Sequence, residues 1–129
     1  MRDSQLKILM VDDFPTMRRI VKTLLRQLGY TNVVEAEDGL EALTKLKEEK
    51  IDLVLLDWNM PKMNGMAVLK AMRSDDELRH VPVVMVTAES KQQDVLEAIK
   101  AGVDNYVVKP FTADTLEEKI RLVLDKKSA

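Results

Sequence analysis

The chain has 129 residues, a length typical of one domain, and its 46% hydrophobic and 33% charged residues are typical of a folded, soluble protein. It contains no cysteine, which excludes disulfides and thiolate metal sites, and no apolar run approaches the length of a membrane span. The net charge is −2 with basic and acidic residues interspersed, which argues against a broad nucleic-acid-binding surface. Because the N-terminal MRDSQ is too polar for a signal peptide, we expect a cytoplasmic protein with neither nucleic-acid nor membrane partners.

In the first half of the chain, strand-like and helical patterns alternate. The first strand, KILMV, precedes a helix whose apolar residues recur at spacings of three and four between Pro15, in its first turn, and Gly29, at its end. NVVEA predicts a second strand, and leucines at Leu40, Leu43 and Leu46 mark a second helix. The third strand, IDLVLLD, is apolar on both faces, as expected of a central parallel strand that is covered on each side.

The second half of the chain continues the same alternation. A third helix opens at Gly65, and VPVVMVT is the fourth strand. Ser90 begins a capping-box pattern for a fourth helix, which Gly102 ends. YVV is a short fifth strand, and Asp114 with Glu117 forms a second capping-box pattern that predicts the start of a fifth helix.

Five strand–helix pairs in succession predict an α/β fold, a doubly wound, five-stranded parallel sheet of the flavodoxin-like type. The chain shows no internal repeat, linker or low-complexity segment, so we expect one domain over residues 1-129. For the strand order we adopt 2-1-3-4-5, the order known for flavodoxin-like folds. In such sheets, ligands bind beyond the carboxyl ends of the strands, where the strand order reverses.

Polar residues follow four of the predicted strands. Asp12 and Asp13 follow the first strand, Asp57 ends the third, Thr87 the fourth, and Lys109 follows the fifth. Each has an ordinary structural explanation on its own, but their joint occurrence at the same ends of parallel strands indicates a site. If the first and third strands are neighbours, three carboxylates converge. Two unit charges 4 Å apart repel by about 4 kcal/mol at an effective dielectric constant of 20, so a cation must offset them.

The chemistry of this site follows from its donor atoms. The ligands are all oxygen, which favours a hard cation, and Mg²⁺ fits best because it accepts few carboxylates and keeps several waters. A carboxylate beside Mg²⁺ can act as a nucleophile and carry a phosphoryl group. In this hypothesis Asp57 is the phosphoacceptor, the Lys109 ammonium neutralises phosphoryl oxygens, and the Thr87 hydroxyl donates to one of them.

Five segments that span nearly the whole chain, VDDFPTMRRIVKTLLRQLG, EAEDG, DWNMPKMNG, VVMVTAES and NYVVKPFTADTLEEK, resemble the receiver domains of two-component response regulators. Within that family the chain is most similar to the single-domain chemotaxis regulators of the CheY type. The resemblance implies that Mg²⁺ is bound by Asp12, Asp13, Asp57 and the backbone carbonyl of Asn59. It also implies that a chemotaxis histidine kinase phosphorylates Asp57.

The resemblance further implies how phosphorylation is read out. Thr87, Tyr106 and Lys109 would be the switch residues, and Asn59 and Glu89 would tune the lifetime of the phosphoryl group. The output face would consist of the fourth helix, the fifth strand and the fifth helix. Its exposed partner-binding residues would be Ser90, Tyr106, Val108, Phe111 and Lys119.

The resulting prediction is a phosphorylation-switched, monomeric module that binds the flagellar motor switch protein and controls rotation, with a phosphatase as a further partner. It would be a signalling switch, not an enzyme, and would catalyse only its own phosphoryl transfer and autodephosphorylation. The alternative is a stand-alone receiver that acts as a phosphate sink or phosphorelay shuttle without a motor partner. A phosphatase acting on free substrates is disfavoured because Asn59 stands where an acid or base is needed. A nucleotide binder is disfavoured because DDFPT has no glycine to cradle phosphate.

Overall fold

The structure is a five-stranded parallel sheet with helices on both faces. The computed structural model describes residues 5–58, 60, 63–87, 92–109 and 111–128, with the backbone alone at 92–95 and 126–128. In chain order the elements are β1 (Ile8–Val11), α1 (Pro15–Gln27), β2 (Val33–Ala36), α2 (Gly39–Glu48), β3 (Leu53–Asp57), α3 (Gly65–Arg73), β4 (Val83–Thr87), α4 (Gln92–Lys100), β5 (Asn105–Val108) and α5 (Ala113–Ser128). The sheet order is β2-β1-β3-β4-β5 with every pairing parallel, so the predicted fold and strand order are confirmed.

The central strands β1, β3 and β4 are apolar except for Asp57 and Thr87 at the ends of β3 and β4, because helices cover both faces of the sheet. In β1, Ile8 and Met10 pack into the cluster that α1 and α5 contribute to, whereas Leu9 and Val11 pack into the cluster formed with α2 and α3. Successive residues of a strand point to opposite faces, so a strand covered on both sides needs apolar residues at every position. Every residue of β1, β3 and β4 is buried, so the ends of these strands are held by packing on both faces of the sheet.

Two apolar residues of the predicted helical stripes lie in solvent. Ile20 in α1 is 48% exposed and Leu40 in α2 is 55% exposed, while Val21 and Leu25 are buried. Neighbouring helical positions are about 100° apart, so Ile20 lies on the flank of the face centred on Val21 and Leu25. None of the described helices is long and apolar enough to cross a bilayer.

The helix ends agree with the prediction at two glycines and differ at one cap. Gly29 and Gly102 follow α1 and α4 with φ of 95° and 99°, a conformation that glycine adopts without strain. At α5 the amide of Thr115 donates to the Thr112 hydroxyl at 3.2 Å, so Thr112 is the cap and Asp114 lies inside the first turn. The helix therefore starts earlier than the Asp114 pattern predicted.

Candidate functional site

Three carboxylates meet at the carboxyl edge of the sheet. One oxygen from each of Asp12, Asp13 and Asp57 lies within 4.8 Å of the others. This proximity arises because β1 and β3 are direct neighbours with Val11 paired to Leu56, so the residues that follow lie side by side. Asp12 is 1% exposed and Asp57 is 3% exposed, whereas Asp13 is open to solvent. The predicted convergence of these three side chains is therefore present, with two of them buried.

A single lysine bridges two of these carboxylates. The Lys109 ammonium lies 3.3 Å from Asp12 Oδ2 and 3.2 Å from Asp57 Oδ1. The lysine follows β5, and its backbone amide donates to the Thr87 carbonyl at 2.7 Å, which holds it against the end of β4. Among the described residues, one ammonium thus faces three carboxylates in this cluster, which leaves an excess of negative charge that a divalent cation can balance.

The loop between β1 and α1 fixes the Asp12 carboxylate. The backbone amide of Phe14 donates to Asp12 Oδ1 at 2.9 Å, and the Asp12 amide donates to the Ala36 carbonyl at 3.1 Å. Arg18 Nη1 donates to the Asp12 carbonyl oxygen at 2.6 Å, and Arg18 Nε donates to Glu35 Oε1 at 3.1 Å. No sequence motif singles out Arg18 or Glu35, because their meeting depends on how α1 packs on β1, the strand next to β2.

The chain returns close to Asp57 at the start of α3. The amide of Gly65 donates to the Trp58 carbonyl at 2.9 Å, and a Cβ on Gly65 would lie 2.4 Å from the Asp57 carbonyl oxygen. Asn64 caps α3 by accepting the Ala67 amide at 2.9 Å, which fixes the direction in which the helix leaves the site. Only glycine allows this close approach of two backbone segments behind the phosphoacceptor candidate.

Thr87 and Tyr106 lie on the paired strands β4 and β5. Thr87 is 2% exposed at the end of β4 and pairs with Val108, while Tyr106 pairs with Met85. Tyr106 is half-buried against the hydrophobic core, and the Lys119 ammonium lies 5.8 Å from the centre of its ring. The paired backbones of β4 and β5 therefore connect Thr87, at the carboxyl edge, to Tyr106.

The described residues of the predicted output face lie together. They line a groove of about 320 Å³ that is formed by Tyr106, Val107, Val108, Phe111, Thr112, Thr115 and Lys119. The four predicted members of this set are half-buried, in contrast to the expectation that they would be exposed. The reason is that they pack along one groove, with Lys119 beside the Tyr106 ring, instead of projecting singly from the surface.

Three predicted residues lie outside the described part of the chain. These are Asn59, Glu89 and Ser90, and the Ser90 helix cap lies outside with them. The carbonyl ligand, the tuning of phosphoryl lifetime and the Ser90 contact therefore stay predictions. The described residues supply three of the four predicted metal ligands, all of them carboxylates.

Comparison with known protein families identifies the arrangement. The model of the response regulator receiver domain matches residues 8–121, which include the carboxylate cluster, Thr87 and Lys109. The chain belongs to the response regulator receiver family. The family predicted from the sequence motifs is thus confirmed.

The receiver is similar to chemotaxis proteins over nearly its full length. It is 55% identical to chemotaxis protein CheY-3 of Vibrio cholerae, over 96% of this chain and 95% of that protein. It is 54% identical to chemotaxis protein CheY of Pseudomonas aeruginosa, over 94% of this chain and 98% of that protein.

Solved structures show the same fold. Chemotaxis protein CheY4 of Vibrio cholerae matches with a TM-score of 0.84 and 35% identity, over 91% of this chain and 97% of that one. A CheY-like response regulator receiver domain protein from Methanospirillum hungatei matches with a TM-score of 0.85 and 30% identity, over 95% of both chains. The chain is therefore a receiver of the CheY type.

Proposed function

We propose that this receiver is a single-domain chemotaxis response regulator over residues 1–129, switched by Mg²⁺-dependent phosphorylation of Asp57 by a chemotaxis histidine kinase. The observation that carries the proposal is the cluster of Asp12, Asp13 and Asp57 with Lys109 bridging two of the three. Similarity to chemotaxis proteins of two organisms over at least 94% of the chain supports the assignment to chemotaxis.

The donor set fits Mg²⁺. Asp12, Asp13 and Asp57 offer carboxylate oxygens within 4.8 Å of one another, and the backbone carbonyl of Asn59 is the proposed fourth ligand. Oxygen ligands of this kind suit a hard cation that keeps several waters, and two of the carboxylates are buried and need compensation. When bound, Mg²⁺ supplies positive charge that neutralises the oxygens of an incoming phosphoryl group.

The chain's own residues account for the transfer step. A carboxylate oxygen of Asp57 attacks the phosphorus of a phosphohistidine, so that a new P–O bond forms while the P–N bond breaks and the histidine nitrogen keeps the electron pair. The Lys109 ammonium, 3.2 Å from Asp57 Oδ1, is close enough to move onto a phosphoryl oxygen. Water attack on the same phosphorus returns the carboxylate and releases phosphate. The receiver thus acts on its own phosphoryl group alone and is a switch, not an enzyme for separate substrates.

The path to the output face runs through β4 and β5. A phosphoryl group would attract the Thr87 hydroxyl and the Lys109 ammonium, and these two residues are joined by a 2.7 Å backbone hydrogen bond. Thr87 pairs with Val108, which lines the same groove as Tyr106. A shift of Thr87 and Lys109 would therefore change the shape of the groove. We assign this groove as the docking surface for the flagellar motor switch protein, and Ser90 is a further proposed contact residue.

The remaining parts of the proposal follow from this role. The receiver would act as a monomer in the cytoplasm, and a phosphatase would be a second partner that shortens the active state. A receiver that accepted phosphoryl groups but bound no motor component would instead be a phosphate sink or a relay shuttle. Partner binding distinguishes these two roles, because their phosphoryl chemistry is the same.

The test is capture of purified motor switch protein on the immobilised receiver, with and without a phosphoryl mimic such as beryllofluoride plus Mg²⁺. We expect retention only with the mimic, and loss of retention in Asp57→Asn. Lys109→Arg should still accept phosphate from a small acyl-phosphate donor yet lose retention, because a guanidinium does not replace a compact ammonium. Leu40→Ala, at an exposed position on α2, is the surface control and should bind normally. Phosphorylation without retention would contradict the motor assignment and leave the sink or shuttle.

A further inference from the structure

We propose that Arg18 and Glu35 form a positioning pair that holds the β1–α1 loop in the shape that presents Asp12 and Asp13 to a divalent cation. This inference rests on the proposed metal site. It assigns no contact between Arg18 and the cation, since the arginine acts through the loop backbone. The loop has only three residues, numbers 12–14, between the end of β1 and the start of α1.

The Arg18 side chain joins the loop to the sheet. Nη1 donates to the carbonyl oxygen of Asp12 at 2.6 Å, and Nε donates to Glu35 Oε1 at 3.1 Å. The side chain is 15% exposed, so it is largely withdrawn from water. A guanidinium presents its donors in a rigid fork, and the two acceptors therefore hold it in one orientation. Arg18 consequently fixes the Asp12 carbonyl relative to β2.

Glu35 is itself firmly anchored. It lies on β2 and pairs in register with Met10 of β1, two residues before Asp12. Its carbonyl oxygen accepts from Lys45 Nζ at 2.6 Å, and its second carboxylate oxygen lies 3.5 Å from Lys22 Nζ. The Glu35 backbone is therefore held by the sheet and by Lys45 of α2, while its carboxylate also contacts Lys22 of α1, so Glu35 gives the loop a fixed reference point.

Asp13 is the ligand that depends most on this arrangement. Its side chain is exposed, and it makes no hydrogen bond or ion pair within the part of the chain that the structure describes. Asp12, by contrast, is held by the Phe14 amide and by Lys109. The carbonyl that Arg18 binds belongs to the peptide group between Asp12 and Asp13, so a rotation of this group would displace the Asp13 carboxylate.

We expect Arg18 to influence cation binding through the geometry of the loop and not through its positive charge. The guanidinium contacts the Asp12 carbonyl and not its carboxylate, and its positive charge is paired with Glu35. If its charge dominated, removal of Arg18 would tighten the binding of a cation. If positioning dominates, removal weakens it. The two explanations thus predict opposite signs.

The experiment is a Mg²⁺ titration of the full chain, followed by the fluorescence of Trp58, the residue next to Asp57. For Arg18→Gln we expect about tenfold weaker binding, the usual effect of losing a residue that orients metal ligands. For Arg18→Lys and Glu35→Ala we expect about threefold weaker binding, the effect of losing one of the two hydrogen bonds. Two variants serve as matched controls. Lys22→Gln removes an ammonium that contacts Glu35 but not the loop, and Arg19→Gln removes the neighbouring exposed cation. Both should stay within about twofold of the parent chain.

A second readout separates positioning from general destabilisation. Circular dichroism in EDTA checks that each variant is folded, and if Arg18→Gln is not folded, Arg18→Lys and Glu35→Ala decide. At saturating Mg²⁺ the folded variants should recover the parent extent of phosphorylation by a small acyl-phosphate donor, because Asp57 and Lys109 are intact. The ratio of the variant's dissociation constant to the parent's should also be unchanged in 0.5 M salt. The Debye length is then about 4 Å, so charge effects are screened, whereas an effect of loop geometry is not.

The outcomes are distinct. If the parent chain binds no Mg²⁺, the proposed metal site fails. If the parent binds Mg²⁺ but the folded Arg18 and Glu35 variants stay within about twofold of it or bind more tightly, only the positioning pair is overturned. Equal weakening in Arg19→Gln or Lys22→Gln would also overturn it, because the effect would then not depend on the contact with the Asp12 carbonyl.

Discussion

Charged side chains are arranged in opposite ways at the two edges of the sheet. At the amino edge, Arg73 donates to Asp104 Oδ2 at 3.0 Å and also to the carbonyls of Gly102, Val81 and Arg79 at 2.9, 2.9 and 3.0 Å. At the carboxyl edge, the described residues include three clustered carboxylates and one lysine that bridges two of them. The first cluster matches its charges and hydrogen bonds within the protein, whereas the second holds an excess of one sign.

This difference separates a structural cluster from a candidate functional site. Burial lowers the pKa of the Arg73 guanidinium, and the adjacent Asp104 carboxylate acts in the opposite direction, so the partner offsets part of the penalty of burial. Asp104 also accepts the Val83 amide at 2.8 Å, which ties this pair to the start of β4. A cluster of this kind needs no ligand. The carboxylate cluster, in contrast, has three carboxylates and one ammonium among the described residues, a charge that an added cation would balance, and variants at both edges test this contrast.

The largest expected effect is at the amino edge. Arg73→Met should lower the free energy of unfolding by about 3 kcal/mol, because it leaves a largely buried Asp104 carboxylate without its cation. Urea denaturation followed by circular dichroism measures it. Arg79→Met is the matched control, since Arg79 is 66% exposed and pairs with an exposed Asp76, and it should change stability by less than about 0.5 kcal/mol. A loss below about 1 kcal/mol for Arg73→Met would contradict the structural role of the cluster.

Two glycines test how tightly the backbone is packed at each edge. Gly65→Ala should cost about 2 kcal/mol, because its Cβ would meet the rigid Asp57 carbonyl oxygen at 2.4 Å. Gly102→Ala should cost about 1 kcal/mol, because φ is +99° there, but the nearest atom, Arg73 Nε, lies farther away, at 3.1 Å. Chemical denaturation of both variants gives the order. Equal losses of unfolding free energy in the two variants would show that the backbone is not packed more tightly at the carboxyl edge than at the amino edge.

Removal of one carboxylate should affect the two edges differently. In EDTA, Asp13→Asn should raise the free energy of unfolding by about 1 kcal/mol, because it relieves repulsion at the carboxyl edge. Asp76→Asn at the amino edge, where the carboxylate is 93% exposed, should give no gain. In thermal melts with excess Mg²⁺, the order of stability should be reversed, so that the parent is more stable than Asp13→Asn. No gain for Asp13→Asn in EDTA would count against the crowding of the three carboxylates.

The smallest expected effect is the acid dependence of a surface pair. Asp75 is bound by the Lys47 ammonium and the Glu77 amide, and these hydrogen bonds lower the pKa of the Asp75 carboxyl below its usual range. A carboxyl whose pKa is lowered by folding stabilises the protein above its unfolded pKa, about 3.9, and loses this contribution as the pH falls through the folded pKa. The melting temperature of the parent should therefore exceed that of Asp75→Asn at pH 6, and the gap should close in acid. A gap that is unchanged at pH 2 would contradict the pairing.

Much of the fold was predictable because it depends on local pattern. Four apolar residues in a row, Ile8 to Val11, identify a strand covered on both faces, and the polar residues that follow the strands must share one edge. This is why the sequence alone indicates that Asp12 and Asp57 lie close together. The exposure of Leu40 was not predictable, because it depends on which side of α2 faces the sheet.

The contacts that sequence reasoning missed are those between distant elements. Arg18 meets Glu35 only because α1 packs on β1, the strand next to β2, and Arg73 meets Asp104 because α3 ends beside the start of β5. Neither pair has a characteristic spacing along the chain. Thr112 was missed for a different reason, since the predicted cap was Asp114 and the structure places the cap two residues earlier.

The central claim is that the excess charge at the carboxyl edge holds Mg²⁺ for phosphorylation of Asp57. Intact mass after treatment with a small acyl-phosphate donor tests it most directly, with Mg²⁺, with EDTA, and in Asp57→Asn. We predict one phosphoryl adduct in the parent chain with Mg²⁺, and none with EDTA or in the variant. An adduct that persists in EDTA or in Asp57→Asn, or no adduct in the Mg²⁺-bound parent, would contradict the account.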